Sequence, residues 1–113
     1  MVKIKRTDSD IENIYTYFEF EGFDGWEQCD EILSILTDKL KFRLAESLDG
    51  IYSRHFILES EGFVFKLLHH EDFGNCLCNQ FKMNEKHYDE LGRIADRTLE
   101  HIRKQLSDKE LYL

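Results

Sequence analysis

The sequence contains no proline and only six glycines. Without proline there is no rigid linker and no proline-marked boundary, so residues 1–113 read as a single domain large enough for one core. The six glycines are scattered and form neither G-x-G-x-x-G nor a Walker sequence, which removes the usual phosphate cradles. Cysteine is also sparse, with three residues, and three do not make a disulfide framework. Cys76 and Cys78 lie two apart on an expected strand and face the same way. Their Cα atoms would then be close to ~7 Å apart, at the limit for a bridge, so reduced thiols are expected.

Long apolar runs are missing too. None approaches the ~18–20 residues of a membrane span. The N-terminal stretch MVKIKRTDSD has no hydrophobic segment behind its basic residues and does not read as a secretory signal. A cytoplasmic protein without a membrane partner is expected. Basic residues are in deficit, 15 Lys and Arg against 23 Asp and Glu, for a formal charge of −8. That balance argues against direct nucleic-acid binding, because phosphate neutralisation needs clustered cations. It favours solubility, and equally fast association with a basic partner.

Hydrophobic residues make up 42% of the chain, and the aromatic 13% includes nine Phe, a composition suited to a sheet packed on helices. The organising stretch is Ser53 to Phe81. Phe56–Leu58 and Phe63–Leu68 flank Ser60-Glu61-Gly62, which reads as a hairpin. Phe63, Phe65 and Leu67 share an apolar face, while Val64, Lys66 and Leu68 make a mixed one. A second turn, His70 to Gly74, leads to a third strand, Asn75 to Phe81.

Upstream, Val2 to Arg6 reads as a strand and Thr7 to Asp10 as a polar turn. Ile14 to Glu21 follows as a strand with Ile14, Thr16, Phe18 and Phe20 inward and Tyr15, Tyr17, Glu19 and Glu21 outward. Asp24 and Glu27 fit the logic of a capping box. The recurrence of Trp26, Cys29, Ile32, Leu33, Leu36 and Leu40 predicts a helix from Gly25 to Leu40, with Trp26 as a core anchor. Phe42 to Leu48 alternates as a strand, and Asp49-Gly50 signals a two-residue hairpin that feeds Ile51 into the meander. Asn84 is the expected N-cap of a second helix with Tyr88, Leu91, Ile94, Ala95, Leu99, Ile102 and Leu106 inward and a Glu100–Lys104 pair outside. Ser107 to Leu113 reads as a frayed tail. The order β-β-α-β-β-β-β-α predicts an α+β fold, a mostly antiparallel sheet of five to six strands with both helices on one face.

Chemistry-bearing residues concentrate at His69-His70-Glu71-Asp72 and at Cys76 and Cys78. The spacing matches no zinc motif, and no metal or cofactor is expected. Either Cys could lie opposite His69 across the hairpin, but a nucleophilic site also needs an orienting group and an oxyanion pocket, and the sequence offers neither. The chain therefore reads as a non-enzyme.

The segment Arg54-His-Phe-Ile-Leu-Glu-Ser-Glu-Gly-Phe-Val-Phe-Lys-Leu67 and the turn His69-His-Glu-Asp-Phe-Gly-Asn75 resemble small bacterial immunity proteins of the contact-dependent growth inhibition type. The likeness covers Ser53 to Asn79. It implies a cytosolic antidote that binds and neutralises a cognate toxin domain, often a nuclease. A basic partner is expected from the charge, and a monomer or weak dimer is expected. An acidic surface suits that task, since nuclease clefts attract phosphate. The expected contact residues are Tyr15, Tyr17, Glu19, Glu21 and Asp24 from one edge, and Glu71, Asp72 and Phe73 from the turn. Two alternatives are a structural or homo-oligomeric adaptor that self-associates through the meander or the Ile14–Glu21 edge, and a metal or thiol enzyme built on His69, His70, Cys76 and Cys78.

Overall fold

A computed structural model describes residues 1–8, 15–79 and 85–110. The strands are β1 (Lys3–Asp8), β2 (Thr16–Glu21), β3 (Arg43–Asp49), β4 (Ser53–Ser60), β5 (Phe63–His70) and β6 (Gly74–Asn79). The helices are α1 (Trp26–Ser34), which passes into a π-helical turn over Ile35–Lys39, and α2 (Glu85–Glu110). The strands form one six-stranded sheet in the order β1-β2-β6-β5-β4-β3, with every neighbouring pair antiparallel. This is the α+β fold with two helices that the sequence predicts. The expected roles of Ile14, Ser9-Asp10, Asn84 and Leu111 to Leu113 lie outside the described residues.

Period-two alternation decides which face is covered. Phe18, Phe20, Phe56, Leu58, Phe65, Leu67 and Leu77 point to the helices and meet Cys29, Ile32, Ile35 and Leu36 from the first helix. From α2 come Leu91, Ile94, Ala95, Leu99 and Ile102. Burying each large side chain contributes about 1.5–3 kcal/mol before entropic costs. Strand β6 is buried along its whole length, as suits the third position in the sheet. Among the described residues no helix is long and apolar enough to cross a membrane.

The β4–β5 hairpin turns through Glu61 and Gly62, both with positive φ (50° and 83°). That backbone matches the twist of the flanking strands and explains the glycine. Several expectations shift. The N-cap is Gly25 rather than Asp24, because the Gln28 side chain accepts a hydrogen bond from the Gly25 N–H at 2.7 Å. Asp24 is left outside the cap. The connection after Asp49 spans Gly50 to Tyr52, closed by a Gly50 N–H to Ser53 carbonyl bond of 2.7 Å, so Ile51 and Tyr52 belong to a loop. Strand β3 carries a bulge between Leu44 and Glu46. Strand β2 is no edge, since β1 and β6 flank it. Helix α2 continues through the expected frayed tail to Glu110. The Glu100–Lys104 pair is not among the ion pairs of the described residues, where Glu90–Arg93 is formed at 2.7 Å.

Candidate partner-binding surface

Strands β2, β3, β4, β5 and β6 place three turns at one end of the sheet. These are the Gly22–Gly25 link into α1, the β3–β4 loop and the β5–β6 turn. The loops are tied together: the Glu71 N–H donates to the Tyr52 carbonyl at 2.9 Å. Four large side chains are left in solvent there, Trp26 (43% exposed), Ile51 (86%), Tyr52 (63%) and Phe73 (68%). Soluble domains rarely gather exposed apolar groups of this size without a partner. Trp26 therefore departs from the core role its helical spacing suggests.

Arg54 explains the position of Trp26. Its guanidinium lies 4.6 Å from the Trp26 ring centroid and 5.0 Å from that of Phe56. It also donates to the Trp26 carbonyl at 3.3 Å and pairs with Asp30 and Asp49 at 2.8 and 3.3 Å. Burial alone would depress this guanidinium, but the hydrogen-bonded carboxylates of Asp30 and Asp49 override it and raise its pKa. The indole thus packs on a neutralised cation at the sheet end.

Beneath Trp26 lies a buried polar chain. Both Asn75 Nδ2 hydrogens are spent on the Phe23 and Gly25 carbonyls, at 2.8 and 3.0 Å. Its Oδ1 therefore faces His69 Nδ1, 2.7 Å away, and His69 Nδ1 is the donor. The His69 ring meets Trp26 at 5.4 Å, nearly perpendicular. Over this chain opens a recess of about 470 Å³ lined by Asp24, Gly25, Trp26, Ile51, Tyr52, His69 and Glu71.

The other expected contact residues lie on the open sheet face. Tyr15 and Tyr17 stand 6.4 Å apart between ring centroids. Tyr17 and Glu19 line a hollow of about 360 Å³ together with His55, Leu68, His70, Cys76 and Phe73. Phe73 packs against His70 at 4.9 Å and reaches this hollow from the turn, so the two predicted sets do meet. At Gly74 (φ +80°) a Cβ would lie 2.6 Å from Asp24 Oδ1. Glycine is therefore required where Asp24 packs against the base of the turn.

The electrostatics of the two regions differ. On the open face Glu19 and Glu21 are registered against Lys5 and Lys3, and Glu21 lies 3.6 and 4.0 Å from the two ammonium groups. Glu46 and Glu59 share that face with Arg43 and Lys66, so the face is balanced rather than acidic. At the turn end Asp24 and Glu71 have no ion pair among the described residues, and Asp72 faces only His70, at 3.9 Å. Carboxylates without a cation partner are thus exposed at this end. The loop residues Ile51 and Tyr52 were missed in the sequence, although two large apolar residues directly after Asp-Gly, inside a turn, are a usable signal.

One arrangement expected for the thiol alternative is not formed. Cys76 is registered against Leu68 and Cys78 against Lys66, while His69 opposes Asn75. Both thiols are therefore on the open face and His69 is on the helix face, which corrects the expected Cys–His juxtaposition. Among the described residues no three His, Cys, Asp or Glu side chains group as a metal set. All three cysteines are free and buried. Comparison with protein-family models, curated proteins and solved structures returns no match.

Proposed function

We propose that this chain is a binding protein that captures a basic protein partner at the turn end of its sheet. In line with its resemblance to immunity proteins, that partner is a cognate toxin domain, and a nuclease fits best. The observation that supports the reading is the exposure of Trp26, Ile51 and Tyr52 around the recess they line with Asp24 and Glu71, which have no ion pair among the described residues, together with exposed Phe73 on the adjoining turn. Exposed aromatics supply contact area at low entropic cost, and surrounding carboxylates steer a cationic cleft and oppose wrong partners. A nuclease cleft, built to hold phosphate, offers that positive surface. Binding there would occlude the cleft without any chemistry by the antidote.

The test is affinity capture from the native host with the wild-type chain and a Tyr52→Ala/Phe73→Ala variant as baits. A basic partner held near one-to-one by the wild type and lost by the variant supports the reading. Inhibition of that partner's activity at equal molarity completes it. A partner held equally by both baits removes this surface from consideration.

Self-association through strand β3 is the second reading. Its seven residues are all exposed and it is an open edge. Its charges, Arg43, Glu46 and Asp49, and its bulge disfavour edge-to-edge pairing. Concentration-dependent sedimentation as a dimer would restore that reading.

A further inference from the structure

We infer that the recess at the turn end is a socket for an arginine side chain of the partner. The inference rests on the partner-binding reading above and names the group that the surface is built to receive.

The decisive residue is His69. It is only 5% exposed, and its Nδ1 is committed to Asn75 Oδ1. In the neutral ring this leaves Nε2 as a hydrogen-bond acceptor. No hydrogen bond to Nε2 is made among the described residues, yet no fully buried side-chain nitrogen or oxygen there lacks a partner. Nε2 is therefore reached from the recess that His69 lines. A polar atom at the bottom of a pocket is costly to cover with an apolar group, so the occupant must bring a donor.

The rim restricts that donor further. Asp24 and Glu71 both line the recess, and neither has a cation partner among the described residues. A neutral donor would satisfy His69 and leave both carboxylates to be desolvated without compensation. A cation satisfies all three. The acceptors come from three separate elements: the link before α1, the end of β5 and the turn after it. One compact ammonium is poorly shaped for such spread acceptors, whereas a guanidinium presents five donors in a plane. Its faces also suit the walls, which are Tyr52, Ile51 and the free margin of Trp26. The protein builds this chemistry once already, holding its own Arg54 between Trp26 and Phe56 with Asp30 and Asp49 as counter-ions. Since those two carboxylates neutralise Arg54, it does not repel a second guanidinium.

The experiment is a titration of the full chain followed by the side-chain 15N resonances of His69 and Trp26. The probes are acetyl-arginine, acetyl-lysine and acetyl-norleucine methylamides at millimolar concentrations. The arginine probe is expected to shift both resonances saturably, the lysine probe more weakly and the norleucine probe not at all. In Asp24→Asn/Glu71→Gln, where the exposed substitutions leave the fold intact, the arginine affinity is expected to fall about tenfold. Equal shifts from norleucine, equal affinity for lysine, or an unchanged affinity in the double variant would each overturn the socket. The same double variant is used as bait for the partner. A partner captured by the wild type while the arginine probe leaves His69 unmoved overturns the socket alone. A saturable arginine response with no captured partner supports the socket and counts against the toxin-binding reading.

Discussion

The guanidinium of Arg54 lies 2.8 Å from the carboxylate of Asp30, and that contact ties the second turn of α1 to the start of β4 at the turn end of the sheet. The side chain of Arg54 is 10% exposed, whereas those of Asp30 and Asp49 are each 56% exposed. The cation is buried and its counter-ions are wet. Replacing Arg54 with Ala removes packing between two aromatic rings and is expected to cost about 2–3 kcal/mol. Asp30→Asn should cost only ~0.5–1 kcal/mol, because Asp49 remains and the lost pair is half in water. Urea unfolding of both variants checks the ordering. Equal losses would mean that the ion pair, not the ring sandwich, holds this corner.

Asn75 is the stricter case. It is fully buried and serves two backbone carbonyls and His69 at once. Asn75→Leu has similar volume but orphans all three groups, and a loss of roughly 3–4 kcal/mol is expected. Asn75→Asp should be no better, because a carboxylate cannot donate to the Phe23 and Gly25 carbonyls. Thermal denaturation of both variants reads this directly. A near-neutral Asn75→Asp would show that the chain relaxes around the site.

Much of this architecture is visible in the sequence. Alternation along Phe63–His70, the polar Glu61-Gly62 turn and the apolar stripe of α2 each depend on near neighbours, and each appears in the fold. The misreading of Trp26 has its cause far along the chain, while those of the register and the cap are decided by local details. Trp26 has the spacing of a core residue, but Arg54, 28 positions later, holds it at the surface. The pairing of Cys76 with Leu68 rather than His69 follows from the length of the Glu71–Phe73 turn, which fixes register one residue at a time. The cap moved from Asp24 to Gly25 because Gln28, not Glu27, reaches back. Of the predicted contacts, Asp24, Glu71 and Phe73 belong to the turn end. Tyr15, Tyr17, Glu19 and Glu21 belong to the sheet face, and no periodicity could separate those two surfaces.

His55 gives the fold a pH dependence. Burial first, then Lys66 and His70, lowers its pKa below the ordinary 6.5. The folded protein therefore binds a proton at His55 less readily than the unfolded chain does. Its contribution is fully present above 6.5 and is lost as pH falls through the lower folded value. Stability should decline on acidification from about pH 7 to about pH 5, and His55→Gln should flatten that decline. Denaturant midpoints across this range check the sign. An unchanged slope in the variant would assign the dependence to another group.

The thiols should differ in reactivity. Burial pushes Cys29 up to about 12, so it should resist iodoacetamide until the protein unfolds. On the open face the hydrogen bond between the two thiols, ahead of burial, raises Cys76, while the same bond lowers Cys78. Cys78 should be alkylated before Cys76, and Cys29 last. Peptide mapping by mass spectrometry after timed alkylation gives the order. Early labelling of Cys29 would mean that α1 opens from the sheet on its own.

The sheet face and the turn end make different predictions for a basic partner. Glu21 has Lys3 and Lys5 within 4.0 Å, so its field is already compensated, and Glu19 has Lys5 across the strand pair. Reversing both, Glu19→Lys/Glu21→Lys, should alter association about threefold or less at moderate salt. Glu71→Lys/Asp72→Lys changes a surface with no compensating lysine and should slow association about tenfold or more, with the difference shrinking as salt rises. Truncating Tyr52 and Phe73 should act on dissociation instead, because apolar anchors contribute after encounter rather than before it. Surface plasmon resonance at two ionic strengths separates the three effects. If the Glu19/Glu21 reversal proves the more damaging, the partner sits on the open sheet face over the Tyr17–Phe73 hollow, and the turn end merely borders it.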